Sequence, residues 1–180
     1  MCGASRCGTA GTEARASDRT ATMDYATEYA IRRLIYRSAE LQDRGQVEEL
    51  AQLFSHGEII VGGLGHVYAG VAGVRDLLRR NIFYDGNGSP ADPAVVHATT
   101  RALHYLSNVD IFDDPSGALA ATSRFLIVQQ HENSPRIVIG GRYLDAFAEA
   151  KSGLHFRRRI VEVHLVGDTA GYLTTNPWAA

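Results

Sequence analysis

The chain of 180 residues is long enough to bury the core of one domain, and its 18 basic and 20 acidic residues give a net charge of −2. Apolar residues make up 45% of the sequence, but no run of them approaches the roughly 20 residues that a membrane-spanning helix needs. No basic stripe with interleaved aromatic residues occurs either, so neither a membrane nor a nucleic acid is an expected partner.

Residues 1–22 are rich in alanine, glycine, serine, threonine and arginine, which predicts a disordered tail before a single domain at 23–180. Cys2 and Cys7 both lie in this tail, and two cysteines are too few for a disulfide framework or a zinc site. The tail lacks the apolar core, about 7–15 residues long, of a signal peptide. A folded part without cysteine fits a reducing compartment, so a cytoplasmic location is expected.

Helical spacing of apolar residues predicts three helices in the first half of the chain. Gly45 is suited to end the first helix, and Gly70 opens the third. Two short strands flank the glycine-rich turn at 62–65, as in a hairpin. The predicted elements are the helices Asp24–Gln42 and Val47–Leu53, the strands Glu58–Val61 and His66–Ala69, and the helix Val71–Ile82.

The second half of the chain predicts four long strands after a loop at Tyr84–Pro93 that is either a connector or a lid. Short, turn-like separators join these strands, so neighbours should pair antiparallel as a meander. Helices first and long antiparallel strands last define an α+β layout, with the sheet curled around the helices to enclose a cavity. The predicted strands are His97–Phe112, Leu119–His131, Arg136–Ala148 and Leu154–Val166.

A histidine lies within the first long strand, where side chains alternate between the two faces of the sheet. One predicted face carries Ala102, His104, Leu106, Asn108 and Asp110. The other predicted face carries Leu103, Tyr105, Val109 and Ile111. The second set is too apolar to leave in water, so a homodimer or homotrimer is expected.

Four local patterns in this order resemble one known family. They are Leu41–Leu50 followed by Leu53-Phe54, Tyr68–Val74, Thr100–Val109, and Gly141–Phe147 with Leu154–Ile160. Together they resemble the SnoaL-like proteins, which include scytalone dehydratase, within the nuclear-transport-factor-2-like superfamily. The resemblance implies a cone-shaped, cystatin-like α+β barrel with three helices packed in a strongly curved, mainly antiparallel sheet.

In the scytalone dehydratase-like members, an aspartate at the end of the first helix holds a histidine on the first long strand. Asp43 and His104 match these two positions, and the resemblance implies that they are catalytic. Histidine titrates near neutral pH, and a carboxylate on one ring nitrogen would fix its tautomer for acid–base work. The alternative is a helix-end aspartate that acts as a cap and a histidine whose hydrogen bonds are satisfied in the core.

The polar companions of this pair differ from the family pattern. Gln42 and Val61 stand where the dehydratase pattern has tyrosines. Gln129 falls near the position of a second histidine, with His131 an alternative under a shifted alignment, and Tyr143 falls near that of an asparagine. The resemblance therefore implies a site but leaves the particular dehydration open.

Five residues are candidates for substrate binding. Asn108 shares the predicted face of His104, and a phenol on the first helix or a short strand could polarise a carbonyl group. The candidates are Tyr36, Tyr68, Asn108, Gln129 and Tyr143. The histidines outside the pair form no metal-ligand spacing, so no metal and no other cofactor is expected.

Two functions fit these patterns. The first is a cofactor-independent lyase or isomerase acting on a hydrophobic polyketide-, aromatic- or steroid-like molecule, with His104 as the general acid and base and Asp43 as its orienting partner. The second is a non-catalytic binding or scaffolding module, as in the β-subunits of ring-hydroxylating dioxygenases. An open cavity that reaches His104 would favour the first function.

Overall fold

The computed structural model describes residues 23–150 and 153–178, so the predicted tail and its two cysteines lie outside the described residues. The helices are α1 (Tyr25–Asp43), α2 (Val47–Gln52) and α3 (Gly70–Leu78). The strands are β1 (Glu58–Val61), β2 (His66–Ala69), β3 (Phe83–Tyr84), β4 (Pro90–Ala91), β5 (Ala102–Asp113), β6 (Leu119–His131), β7 (Ser134–Ala150) and β8 (Gly153–Val166). None of the helices in this part of the chain has the length and apolar character needed to cross a membrane.

Helix α1 is capped at its start and turned sharply at its end. The Asp24 side chain accepts a hydrogen bond from the backbone N–H of Thr27 at 3.0 Å, which satisfies a free donor of the first turn. The chain leaves the helix through Gly45, whose φ of +68° and contact with the carbonyl oxygen of Ala98 leave no room for a side chain. This contact fixes the end of α1 against the segment that leads into β5.

Six strands form one mixed sheet in the order β2-β1-β8-β7-β6-β5. All neighbours in this sheet are antiparallel except β1 and β8, which are parallel. The predicted α+β class and the predicted meander of long strands are confirmed. Irregularities of register interrupt the β5–β6, β6–β7 and β7–β8 pairs, and such bulges bend strands and increase their twist.

The bulge in β5 overturns the predicted faces of that strand. Asn108 has a φ of +51°, and the register with β6 shifts between Ser107 and Asp110. Beyond the bulge the alternation of side chains between the two faces is reversed. Val109 and Ile111 therefore pack against the core instead of facing outwards. Asn108 and Asp110 are exposed, not on the inner face with His104. The prediction of unbroken alternation was wrong because an extra residue resets which side chains point inwards.

Two predicted boundaries and one predicted loop also differ clearly from the structure. Helix α3 ends at Leu78 and not at Ile82, because the N–H of Ile82 donates to the carbonyl oxygen of Tyr172 at 2.8 Å. Strand β5 begins at Ala102 and not at His97, since Arg101 adopts a φ of +50° that interrupts extended backbone. Strands β3 and β4 form a small hairpin, where the sequence predicted only a loop.

The segment after β8 is irregular, and side-chain hydrogen bonds from other parts of the chain hold it in place. The Gln129 amide donates to the Gly171 carbonyl at 2.7 Å, and the Tyr84 hydroxyl donates to the same oxygen at 2.6 Å. The Arg136 guanidinium donates to the carbonyl of Ala170. These bonds hold Tyr172 in the hydrophobic cluster that packs on the sheet, where the residue is 1% exposed.

Candidate functional site

The side chains of Asp43 and His104 meet where α1 ends and β5 begins. The Oδ1 atom of Asp43 lies 2.6 Å from Nδ1 of His104. The backbone N–H of His104 also donates to the Asp43 carboxylate, at 3.1 Å to Oδ2 and 3.2 Å to Oδ1. Because a carboxylate only accepts, Nδ1 of the neutral ring carries the hydrogen, and Nε2 carries the free lone pair.

The second ring nitrogen of His104 is buried and has no hydrogen-bond partner among the described residues. The imidazole side chain is 1% exposed, and the Asp43 side chain is 15% exposed. Buried polar atoms in proteins are nearly always paired, so an unpaired nitrogen with a free lone pair is unusual. A satisfied core histidine, the structural alternative raised by the sequence, would have a partner at this atom.

A cavity of about 130 Å³ lies beside His104, which is one of its lining residues. Its walls are mainly apolar and come from several strands and from α3, with Phe125, Ile127, Val161 and Leu77 among them. An engineered apolar cavity of about 150 Å³ is large enough to bind benzene. The space therefore suits a group of about one ring, and its apolar walls favour a hydrophobic one.

A few polar side chains also line the cavity: Gln42, Asn81, Tyr143, Arg159 and Tyr172. Nδ2 of Asn81 is buried and, like the free nitrogen of the histidine, has no partner in the described part of the chain. The Tyr172 hydroxyl accepts a hydrogen bond from the Gln42 amide at 3.5 Å. Polar groups that converge on an apolar pocket are typical of sites that orient a small molecule.

Burial raises the pKa of Tyr143 to about 12, with Arg159 opposing this effect and the carboxylates of Asp145 and Asp43 reinforcing it. The phenol ring stacks on Phe125 with a centroid distance of 4.3 Å. Tyr143 therefore keeps its proton at neutral pH and can serve the cavity as a hydrogen-bond donor.

Arg159 is buried and fully engaged. Its guanidinium makes two 2.8 Å hydrogen bonds to the Asp145 carboxylate and one of 3.0 Å to Ser38, and it lies 4.2 Å from the ring centroid of Tyr143. Burial lowers the pKa of Arg159, but the charge and hydrogen bonds of Asp145 outweigh burial and raise it overall. The charge of Arg159 is therefore neutralised inside the protein by a buried ion pair.

The other predicted binding residues do not line this cavity. Tyr36 is 46% exposed and lines an open groove on the solvent side of Asp43. Tyr68 packs below the guanidinium of Arg80, with 5.5 Å to the ring centroid. Asn108 lies exposed at the bulge, and Gln129 uses its amide to hold the C-terminal segment. Of the five candidates, the structure places only Tyr143 in the cavity.

Sequence reasoning missed Asn81 and Tyr172. Asn81 follows α3, and Tyr172 lies in the irregular segment after β8, so their proximity depends on long-range packing. The one local signal was a large aromatic residue next to Gly171, followed directly by Leu173. The loop at 85–93 contributes no residue to the cavity lining, and within residues 23–150 and 153–178 no three His, Cys, Asp or Glu side chains are grouped for a metal ion.

Comparison with known families identifies the class of protein. The family profile described as "SnoaL-like domain" matches residues 23–160, most of the chain, and the protein belongs to this SnoaL-like family. No curated protein gives a significant match. The predicted resemblance to SnoaL-like proteins is thereby confirmed.

Three solved structures with the same fold come from Streptomyces coelicolor and Novosphingobium aromaticivorans. ActVI-ORFA from Streptomyces coelicolor is 16% identical, with a TM-score of 0.60 over 77% of this chain and 97% of its own. A candidate aromatic ring hydroxylase from Novosphingobium aromaticivorans is 16% identical, with a TM-score of 0.61 over 82% of this chain and 97% of its own. A candidate scytalone dehydratase from the same species is 21% identical, with a TM-score of 0.56 over 79% and 87%. These likenesses confirm the predicted nuclear-transport-factor-2-like cone.

Proposed function

We propose that the protein is a cofactor-independent lyase or isomerase that acts on a hydrophobic polyketide-, aromatic- or steroid-like molecule. The observation that carries the proposal is the buried, unpartnered Nε2 of His104, a residue that lines an apolar cavity, with Nδ1 held by Asp43 at 2.6 Å. A base needs a free lone pair in reach of its substrate, and this arrangement supplies one.

The reaction begins when Nε2 of His104 takes a proton from a carbon next to a substrate carbonyl group. The electron pair of that C–H bond forms a carbon–carbon double bond, and the carbonyl π electrons move to oxygen. Asp43 stabilises the resulting imidazolium through the hydrogen on Nδ1. The imidazolium then returns its proton to a leaving hydroxyl or to another carbon. In ring closure the enolate carbon attacks a second carbonyl carbon of the substrate, the π electrons of that carbonyl move to its oxygen, and this oxygen takes the proton. These endings correspond to dehydration, double-bond isomerisation and cyclisation.

The hydrophobic character of the substrate is inferred from the cavity walls. Apolar side chains dominate the lining, and the one full charge there, on Arg159, is already paired with Asp145. No free cation therefore lines the described part of the cavity, so a neutral ligand is favoured, and a negative oxygen could be held there only by hydrogen bonds. A scytalone dehydratase-like relative among the similar structures supports the same class of chemistry.

A non-catalytic binding or scaffolding role is the second candidate. It is favoured by Gln42 and Val61, which stand where the dehydratase pattern has tyrosines, and by the fold shared with a candidate ring hydroxylase. A scaffold has no need of an open space at His104, whereas an enzyme does. The cavity lined by His104 supports the enzyme over the scaffold.

The test is turnover of a panel of enones and β-hydroxy carbonyl compounds, followed by absorbance and mass spectrometry. We expect His104→Ala to lower kcat by about 10²–10⁴-fold, the range for loss of a general acid or base. The matched control is His164→Ala, which removes a half-exposed histidine of β8. Equal turnover by the wild type and His104→Ala would refute the assignment, and ligand binding without any turnover would favour the second candidate.

We also propose a cytoplasmic homo-oligomer without a nucleic-acid or membrane partner. The outer face of the sheet supports self-association, because Leu103 and Tyr105 on β5 and Leu165 on β8 are exposed there. The sequence composition supports the location.

A further inference from the structure

We propose that Asn81 and Tyr172 form an oxyanion-binding pair that receives the carbonyl oxygen of the substrate. This inference rests on the proposed function of His104 and assigns the other half of the same site. It identifies the substrate as an enolisable ketone or aldehyde whose carbonyl group is joined to an apolar skeleton about one ring wide.

The Asn81 amide is the first observation. Asn81 lines the cavity, and its buried Nδ2 atom has no partner at normal hydrogen-bond distance among the described residues. The amide lies beside the Tyr172 hydroxyl, on which it acts to lower the pKa. A buried donor without a partner costs free energy, so its persistence beside an open space indicates an acceptor that binds there. An oxygen or nitrogen lone pair supplied from the cavity would satisfy this donor.

Tyr172 provides the second donor. Its hydroxyl oxygen accepts a hydrogen bond from Gln42, and its own hydrogen is donated to no described residue. Burial raises the pKa of Tyr172 far above the ordinary tyrosine range, so the phenol keeps the hydrogen that it would donate. A neutral donor that is already polarised by a neighbouring amide is well suited to a developing negative charge.

The backbone fixes these two residues side by side. Asn81 forms a bridge with Leu173, and the N–H of Ile82 donates to the Tyr172 carbonyl at 2.8 Å. The N–H of Thr174 donates to the Arg80 carbonyl at 2.8 Å. Rigid donors need no reorganisation during the reaction, which is the condition under which they stabilise a transition state most.

His104 and the Asn81–Tyr172 pair then act on different atoms of the substrate. His104 Nε2 takes the proton from carbon, while the electron pair passes through the new double bond to the carbonyl oxygen. Asn81 Nδ2 and the Tyr172 hydroxyl donate to that oxygen as it becomes negative. When the double bond re-forms at oxygen, the proton on Nε2 leaves with the departing hydroxyl as water or returns to another carbon, so no co-reactant is needed.

The experiment uses 4-nitrophenol as an oxyanion probe, because its absorbance separates the phenol from the phenolate. Its matched partner is 4-nitrotoluene, which has a methyl group in place of the hydroxyl. We expect the wild type to bind 4-nitrophenol as the phenolate and to lower its pKa. Asn81→Leu and Tyr172→Phe should each weaken phenolate binding by about tenfold, while 4-nitrotoluene binds the wild type and the variants with similar affinity.

Leu173→Met is the control for cavity shape, and it should change the affinities for both probes by the same factor. Weakening of both probes alike by Asn81→Leu and Tyr172→Phe, binding of 4-nitrophenol in its neutral form, or no binding at all would overturn the inference. The probe requires no turnover, so its result is separate from that of His104→Ala. Loss of turnover in His104→Ala with unchanged phenolate binding in Asn81→Leu would leave the proposed function standing and remove the oxyanion pair.

Discussion

The carboxylate of Asp43 holds His104 at two points, the ring Nδ1 and the backbone N–H of the same residue. Two attachments to one residue fix both the position of the strand and the orientation of the imidazole. The aspartate is the last residue of α1, so the same contact also joins the helix end to the start of β5.

Asp43→Asn is therefore expected to change activity more than stability. The amide oxygen can still accept both hydrogen bonds, but a neutral partner stabilises the imidazolium less. We expect kcat to fall by up to about 10⁴-fold, the loss seen when the aspartate of a catalytic triad becomes asparagine. The control is Glu40→Gln, which removes an exposed ion pair with Arg44 one turn earlier. Equal kcat values for Asp43→Asn and the wild type would contradict a role for the pair in catalysis.

Arg159 and Asp145 form a buried ion pair whose disruption should be costly. Arg159→Met leaves the Asp145 carboxylate buried without its partner, and we expect unfolding in urea to show a loss of about 3–5 kcal/mol. Arg142→Met is the matched control, because Arg142 pairs with Glu162 on the partly exposed face of the same two strands.

The control should lose no more than about 1 kcal/mol, the usual value of a surface ion pair. Losses of similar size in Arg159→Met and Arg142→Met would show that burial of the first pair does not matter. A double variant, Arg159→Met with Asp145→Leu, should recover part of the loss, because no uncompensated charge remains.

The raised pKa of Tyr143 predicts that the protein loses stability at alkaline pH. Its pKa rises from 10.0 in the unfolded chain to about 12 in the folded protein, so the folded state holds the phenolic proton more tightly. This contribution is complete below about pH 10 and disappears as the pH rises towards about 12, where the folded phenol also ionises. Tyr143→Phe should make the free energy of unfolding fall less steeply over that interval in urea titrations. An unchanged slope would mean that Tyr143 is not buried as described.

A row of exposed apolar side chains crosses four strands of the outer sheet face and predicts self-association. Tyr105 pairs with Leu126, Leu126 with Gly140, and Gly140 with Leu165. Gly140 has no side chain, and both leucines approach the space above it. We expect a dimer or trimer by light scattering for the wild type and a monomer for Leu126→Lys with Leu165→Lys.

Val95→Lys is the control for this experiment, because Val95 is a highly exposed apolar residue of a loop outside the row. It should leave the molar mass unchanged. A monomeric wild type, or an oligomer that survives both lysines, would refute the assignment of this face as the interface.

Elements bounded by strong turn signals were predictable from the sequence. Strands β1, β2 and β6 have the predicted limits, because each borders a glycine- or asparagine-containing turn that local preferences define. The pairing of Asp43 with His104 was an expectation from the family resemblance, and the structure brings the two side chains together.

The rest of the site depends on contacts that local preferences do not encode. The bulge at Asn108 reverses the faces of β5. Local preferences do not predict this bulge, because asparagine with a positive φ also occurs in many loops and turns. Asn81 and Tyr172 meet only because the segment after β8 returns to the end of α3. Four of the five predicted binding residues consequently lie outside the cavity.

The parallel pairing of β1 with β8 has a consequence for how the protein folds. Glu58 is paired with Arg158, so this ladder joins an early strand to the last one. A pairing between strands far apart in the sequence costs loop-closure entropy before its contacts can stabilise the chain. Proteins rich in such pairings fold slowly. During that delay one edge of β1 has no strand beside it, and unpaired strand edges are prone to join other chains. The pairing of β8 with β1 should therefore be the slow step in refolding. Aggregation should be greatest before this pairing forms.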